Sequence, residues 1–192
     1  MIIRRIWFIA WVLVLSGCAG APAVVMKDRK APLIDDAVMV EFKQCVHYLN
    51  QQAYDRAIDI LDNLVKKESR FSAPFVNLGM ALSRTGKLER AVQAFQQALQ
   101  LDAANAKANN ELGLLYRKLG RFQKARNAYE TALTKHPAYL PAIRNLGILC
   151  DIYLRDYRCA MDQFQRYRVH SPHNTEIEIW IADLKIRGGG KP

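Results

Sequence analysis

The chain has 192 residues, 28 of them lysine or arginine and 18 aspartate or glutamate, for a formal net charge of +10, with four cysteines and four histidines. So basic a chain ordinarily points to nucleic acid as a partner. The pattern of its first residues, that of an export signal, argues against that class. Anionic lipid head groups, lipopolysaccharide phosphates and acidic protein segments are the partners left for the charge.

Residues 1–5 carry Arg4 and Arg5 and no acid, and Ile6 to Leu15 is an unbroken apolar run. A charged head followed by ten apolar residues is the pattern of a secretory signal and is too short for an ordinary spanning helix. The run closes on Leu15-Ser16-Gly17-Cys18, which resembles the bacterial lipobox. That resemblance implies cleavage before Cys18 and transfer of a diacylglyceryl group to its thiol, with palmitate among the lipid's acyl chains, leaving 175 residues with a charge of +8. An uncleaved anchor with an incidental cysteine is the alternative. Arg4-Arg5 also suits a twin-arginine signal, but the rest of that motif is missing. Each buried methylene contributes about 0.8 kcal/mol, so a multiply acylated cysteine holds the chain to a membrane. Ala19 stands where an inner-membrane retention signal places Asp, so the resemblance implies the outer membrane, on its periplasmic face. From Ala19 to Pro32 the sequence has no sustained period, carries Lys27, Arg29 and Lys30, and makes a tether with a mean reach of roughly 20 Å.

The next stretch repeats. Ala57, Ala91 and Ala125 are 34 residues apart, and a further step lands on Cys159 beside Ala160, so a fourth copy carries a one-residue insertion. Leu78-Gly79, Leu112-Gly113 and Leu146-Gly147 keep the same interval, as do Gly86 and Gly120, and Phe95 and Tyr129. In the third copy the pattern runs Leu112, Gly113, Tyr116, Gly120, Phe122, Ala125, Tyr129, Ala132 and Pro137. This resembles the tetratricopeptide repeat, which implies an all-α, right-handed superhelical array of helix hairpins that bind other proteins. Small residues at fixed places let two helices approach closely, large apolar residues three and four apart fill the seam, and stacked copies bury what one hairpin cannot. The copies span 38–71, 72–105, 106–139 and 140–174, the first degenerate with Gln44-Cys45 in place of Leu-Gly. Thr175 to Ile186 is an amphipathic capping helix. The organisation is therefore a signal peptide at 1–17, the lipidated cysteine and tether at 18–35, the repeat domain at 36–187 and a tail at 188–192.

No constellation for catalysis stands out: there is no paired-histidine metal helix, nucleophile elbow or phosphate-cradling loop. His170 and His173 flank Ser171-Pro172 without an evident third ligand, so neither a metal nor another cofactor is expected. Cys150 falls near the end of one helix of the fourth hairpin and Cys159 at the start of the next. Antiparallel packing brings those faces together, and an oxidising compartment would join the thiols; two buried apolar thiols are the alternative. Cys45 occupies a glycine position and is explained by packing.

The family resemblance also implies a ligand face on the first helix of each hairpin. Carried onto this sequence, it comprises Val76, Met80, Arg84, Lys107, Asn110, Leu114, Arg117, Lys118, Arg144 and Ile148. Such a surface suits a protein segment mixing apolar and acidic residues. Cations near helix C-termini also gain about 0.3–1 kcal/mol from the dipole with no partner at all. Exported members of the family include pilotins for secretion and pilus channels, organisers of peptidoglycan enzymes and companions of energy-transducing complexes. The expectation is a non-catalytic adaptor of this kind. Binding of anionic lipid or lipopolysaccharide, and self-assembly into a structural module, remain as alternatives, and the oligomeric state stays open.

Overall fold

A computed structural model of the chain describes residues 35–188, and among them every regular element is helical. Eight helices form four successive hairpins: α1 (Asp36–Asn50) with α2 (Tyr54–Lys67), α3 (Ser72–Arg84) with α4 (Leu88–Leu101), α5 (Ala106–Lys118) with α6 (Phe122–Lys135), and α7 (Leu140–Ile148) with α8 (Tyr157–His170). A ninth helix, α9 (Thr175–Gly188), closes the described array. The signal segment, Cys18, the tether as far as residue 34 and residues 189–192 lie outside the described residues.

Local chemistry sets the helix starts. Asn105 Oδ1 accepts from the Ala108 N–H at 2.9 Å, Asp156 Oδ1 from the Cys159 N–H at 3.0 Å, and Asn174 Oδ1 from the Ile177 N–H at 3.1 Å, each satisfying a donor that has no intrahelical partner. Pro141 lies in the first turn of α7, where a missing N–H costs nothing.

Within each hairpin a small residue faces a large one. A Cβ built on Gly79 would come within 2.8 Å of the Phe95 ring, one on Gly113 within 2.5 Å of Tyr129, and one on Gly147 within 2.4 Å of Phe164. The aromatic ring occupies the space a side chain would need, so the helices can close only without one at that place. The first hairpin solves the same problem differently: Cys45 fills the glycine position, Leu61 the aromatic one, and both are fully buried.

Each hairpin turns through one residue in the left-handed region. It is Gly86 (φ 78°) and Gly120 (φ 70°) in the middle hairpins, and Gln52 (φ 58°) and Arg155 (φ 52°) in the outer two. In the first three hairpins the residue after that turn donates back five places, as Lys87 N–H does to the Leu82 carbonyl at 2.9 Å and Arg121 N–H to Tyr116 at 2.8 Å. The fourth spans six, Asp156 N–H to the Cys150 carbonyl at 2.8 Å. The inserted residue is absorbed just before it, in a π-turn over Leu149–Tyr153 in which the Leu154 N–H donates to the Leu149 carbonyl at 3.0 Å. A disulfide joins Cys150 to Cys159 across this turn, with Cα atoms 5.9 Å apart.

Helix α9 is more than a lid. The first helices begin at Ser72, Ala106, Leu140 and Thr175, steps of 34, 34 and 35 residues, the last including the insertion. Helix α9 therefore stands in the register of a fifth first helix. Two pairs to α7 and its π-turn tie it there: Arg144 Nη2 to Glu176 Oε1 at 2.9 Å, and Arg187 to both Asp151 carboxylate oxygens at 2.8 and 2.9 Å.

Candidate functional site

The first helices of the second and third hairpins, with the π-turn of the fourth, enclose a groove of about 440 Å³ lined by Met80, Ser83, Arg84, Glu111, Leu114, Leu115, Arg117, Lys118 and Tyr153. Met80 and Arg84 also line an adjoining hollow of about 290 Å³ with Lys107, Asn77 and Tyr54. Arg84, Lys107 and Lys118 are exposed and Arg117 is half-buried. Among the described residues none of these four takes part in an ion pair. The nearest acid is Glu111 in the groove wall. Burial pushes its carboxyl up, against the opposing hydrogen bond from Asn110 and the charges of Lys107 and Arg84. The groove is thus an apolar floor of Met80 and Leu114 rimmed by cations that outnumber its one acid, Glu111, and form no ion pair among the described residues.

Tyr153 was not anticipated. Its ring lies 4.9 Å from that of Phe122, and the Arg117 guanidinium sits over it at 5.7 Å, so an aromatic on the π-turn holds one of the groove cations in place. Beneath the groove Tyr129 is fully buried, and its hydroxyl has no hydrogen-bond partner. Burial raises the phenol's pKa, with Arg117 opposing and Glu111 and Tyr153 reinforcing.

Four of the ten residues expected on the ligand face lie outside the groove and its adjoining hollow. Val76 is 4% exposed and belongs to the core. Asn110 is 2% exposed and accepts a hydrogen bond from Asn145 Nδ2 at 2.9 Å, an amide pair between neighbouring first helices. Both sit at the repeat position that the next first helix covers. Arg144 is held by α9, paired with Glu176 at 2.9 Å and stacked over the Trp180 ring at 5.1 Å, so its charge is already used. Ile148 is half-buried against the core. Met80, Arg84, Lys107, Leu114, Arg117 and Lys118 do converge on the groove and its adjoining hollow.

A larger cleft, about 600 Å³, lies between α6 and α8. Its charges balance in number, Arg126, Arg158 and Arg166 against Glu130, Asp156 and Asp162; Arg126 pairs with Glu130 at 2.9 Å and Asp156 at 3.3 Å, and Arg166 donates to Gln163 Oε1 at 2.9 Å. Size alone favours that cleft; unneutralised charge beside apolar surface favours the groove, and a partner is selected by the latter.

The model of the tetratricopeptide repeat family matches residues 44–106 and 76–139, together half of the chain. The chain belongs to the tetratricopeptide repeat family. As such an array it is a scaffold for protein–protein interaction. No curated protein matches it significantly in sequence. Among solved structures it is similar to MamA (residues 41 to the end) from Desulfovibrio magneticus RS-1, at 19% identity and a TM-score of 0.71 over 82% of this chain and 88% of that one. It is also similar to PilF of Pseudomonas aeruginosa, at 18% identity and a TM-score of 0.72 over 80% of this chain and 70% of that one. A third is YrrB, described as a tetratricopeptide protein with an unusual peptide-binding site, at 17% identity and a TM-score of 0.63 over 73% and 72%. At these identities the likeness is one of fold.

Proposed function

We propose that this chain is a non-catalytic adaptor, anchored through acylated Cys18 to the periplasmic face of the outer membrane, that recruits or positions a protein in cell-envelope assembly. The observation that carries the binding half is the groove itself, where Arg84, Arg117 and Lys118 stand beside Met80 and Leu114 and form no ion pair among the described residues. Apolar floor and cationic rim together select a segment that mixes apolar and acidic residues: desolvation of the first supplies affinity, and charge supplies steering. The envelope half is supported by the apolar run ending in Leu15-Ser16-Gly17-Cys18 and by Ala19 behind it.

The test joins both halves. Cells express the wild type, Cys18→Ser, and the triple reversal Arg84→Glu, Arg117→Glu, Lys118→Glu; Arg144 is left alone because its charge is paired within the fold. Labelled palmitate and membrane fractionation read the anchor, and in-cell crosslinking with recovery from envelopes reads the partner. The expected result is palmitate on the wild type and the reversal but not on Cys18→Ser, and one envelope protein lost by the reversal. Palmitate on Cys18→Ser contradicts the anchor, and a partner retained by the reversal contradicts the site. Salt-sensitive binding to anionic vesicles with no protein recovered replaces the adaptor reading with a lipid-binding one.

A further inference from the structure

The disulfide of the fourth hairpin joins two unlike places in the repeat. Cys150 stands where Leu82 and Tyr116 stand in the preceding copies, a core position, and is fully buried. Cys159 stands where Arg56, Arg90 and Lys124 stand, an exposed position near the start of each second helix, and is only half-buried. It lines the cleft of about 600 Å³ between α6 and α8. The first three hairpins close without such a bond, so closure alone does not call for one. The surroundings of Cys159 are chemically particular. Asp156 brings a carboxylate oxygen within 4.8 Å of both sulfurs, which repels a purely anionic thiol from the place where it would react. Arg158, Arg166 and Asp162 line the same cleft and form no ion pair among the described residues. A molecule carrying both a carboxylate and an ammonium group finds a partner for each.

We infer that the Cys150–Cys159 bond is a thiol-exchange site, entered through the cleft by a zwitterionic amino-acid or peptide thiol that attacks Cys159. The incoming thiolate forms a bond to Cys159 Sγ, and the bond between the two cysteines breaks. The electron pair leaves on Cys150 Sγ, which takes up the proton that the thiol lost. One thiol and one disulfide are consumed, and one thiol and one mixed disulfide result, so no other oxidant or reductant takes part. Attack on Cys150 is closed by its burial. Exchange leaves the adduct in the cleft and the π-turn Leu149–Tyr153 without its covalent tie. That turn carries Tyr153, whose ring lies under the Arg117 guanidinium. Exchange therefore loosens a groove cation from the cleft behind it, a consequence that rests on the groove being the ligand site.

Peptide mapping decides it. The full chain in detergent is incubated with reduced glutathione, quenched in acid, alkylated and digested with trypsin, which cuts after Arg155 and Arg158 and so separates the two cysteines. The adduct is expected on Cys159, with Cys150 alkylated. Glutathione on Cys150, or a bond that stays closed, overturns the inference. Single variants, checked by circular dichroism, give the rate from the reverse direction. With oxidised glutathione, Cys150→Ser should form its adduct at least about tenfold faster than Cys159→Ser, whose remaining thiol reacts only when the hairpin opens; equal rates overturn the assignment of Cys159. Arg158→Gln/Arg166→Gln should slow exchange with glutathione about threefold and leave 2-mercaptoethanol, a neutral thiol, unchanged. Equal slowing of both, or of neither, overturns the class of thiol. For the groove, anisotropy of a labelled peptide of aspartate and leucine is followed on four chains: the disulfide form, Cys150→Ser bearing the adduct, Tyr153→Ala and Arg117→Glu. The adduct and Tyr153→Ala should each weaken binding about threefold, the loss of one cation–π contact, and Arg117→Glu should weaken it more. If the adduct form binds like the disulfide form while Arg117→Glu does not, control of the groove is overturned. If Arg117→Glu also binds like the disulfide form, the groove reading falls, and the peptide map decides the exchange by itself.

Discussion

The first and third hairpins of this array perform the same packing task with different residues. In the third, Gly113 leaves room for the Tyr129 ring, which passes so close that a Cβ would lie 2.5 Å from it. In the first, Cys45 and Leu61 share the same two places, one larger and one smaller, and both are fully buried. Repeat identity is thus a conserved volume for each facing pair rather than a conserved residue at each place. A single-position pattern scores the first copy as degenerate when its core is complete.

That comparison breaks most sharply at Gly113. Gly113→Cys alone forces a side chain into the Tyr129 ring and should cost about 3 kcal/mol by urea denaturation, at the upper end of overpacking costs. Adding Tyr129→Leu, which recreates the Cys45–Leu61 pair, should recover more than half of that loss. Strict additivity of the two single changes would refute the facing-pair account.

Next in size is the fourth hairpin, whose copy of the same architecture is fastened covalently. Cys150→Ser/Cys159→Ser should cost about 2.5 kcal/mol, the chain-entropy value for so short a loop. The loss should be local, because stacked repeats touch only their neighbours: hydrogen exchange should quicken over residues 149–160 and not in α1 or α2. The Cys45 thiol, pushed up to about 11 by burial, serves as an internal control. Its alkylation rate at neutral pH should stay within about twofold of wild type, since it reports opening of the first hairpin alone.

The turns sharpen the comparison between the outer and middle hairpins. Gln52 and Arg155 hold the conformation that Gly86 and Gly120 hold without strain. Arg155→Gly and Gln52→Gly should each raise stability by about 1 kcal/mol, and Gly120→Ala should lower it by a similar amount. The smallest effect belongs to Glu111. Its folded carboxyl titrates above the ordinary carboxylate value, so the unfolded chain loses its proton first and ionisation favours unfolding. Glu111→Gln should therefore be more stable than wild type at neutral pH. The difference should vanish as pH falls below about 4.3, where both states of the wild type hold the proton.

Much of this was legible in the residues. The 34-residue interval, the glycines and the aromatics identify the hairpins, because close approach of two helices leaves few residue choices. The groove was half legible. Met80, Arg84, Lys107, Leu114, Arg117 and Lys118 could be placed from repeat position alone. Position tells which way a side chain points and not how deeply its neighbours cover it, and so Val76 and Asn110 looked available when the next first helix buries them. Arg144 looked free because its partner, Glu176, is 32 residues away on a helix read as a lid. The insertion could be counted but not located, so the π-turn and the Tyr153 ring it carries into the groove went unseen. Stepping the register once more from Leu140, by 34 residues and the insertion, lands on Thr175 and shows that α9 begins where a fifth first helix would.

The claim that the cationic groove, and not the larger cleft behind it, is the working surface can be tested in one experiment. A photo-crosslinking residue is installed singly at Lys118, in the groove, and at Arg158, in the cleft between α6 and α8. Both chains are irradiated in intact cells. The account predicts one adduct of a defined envelope protein from position 118 and none from position 158. The same adduct from position 158, with none from 118, would contradict it.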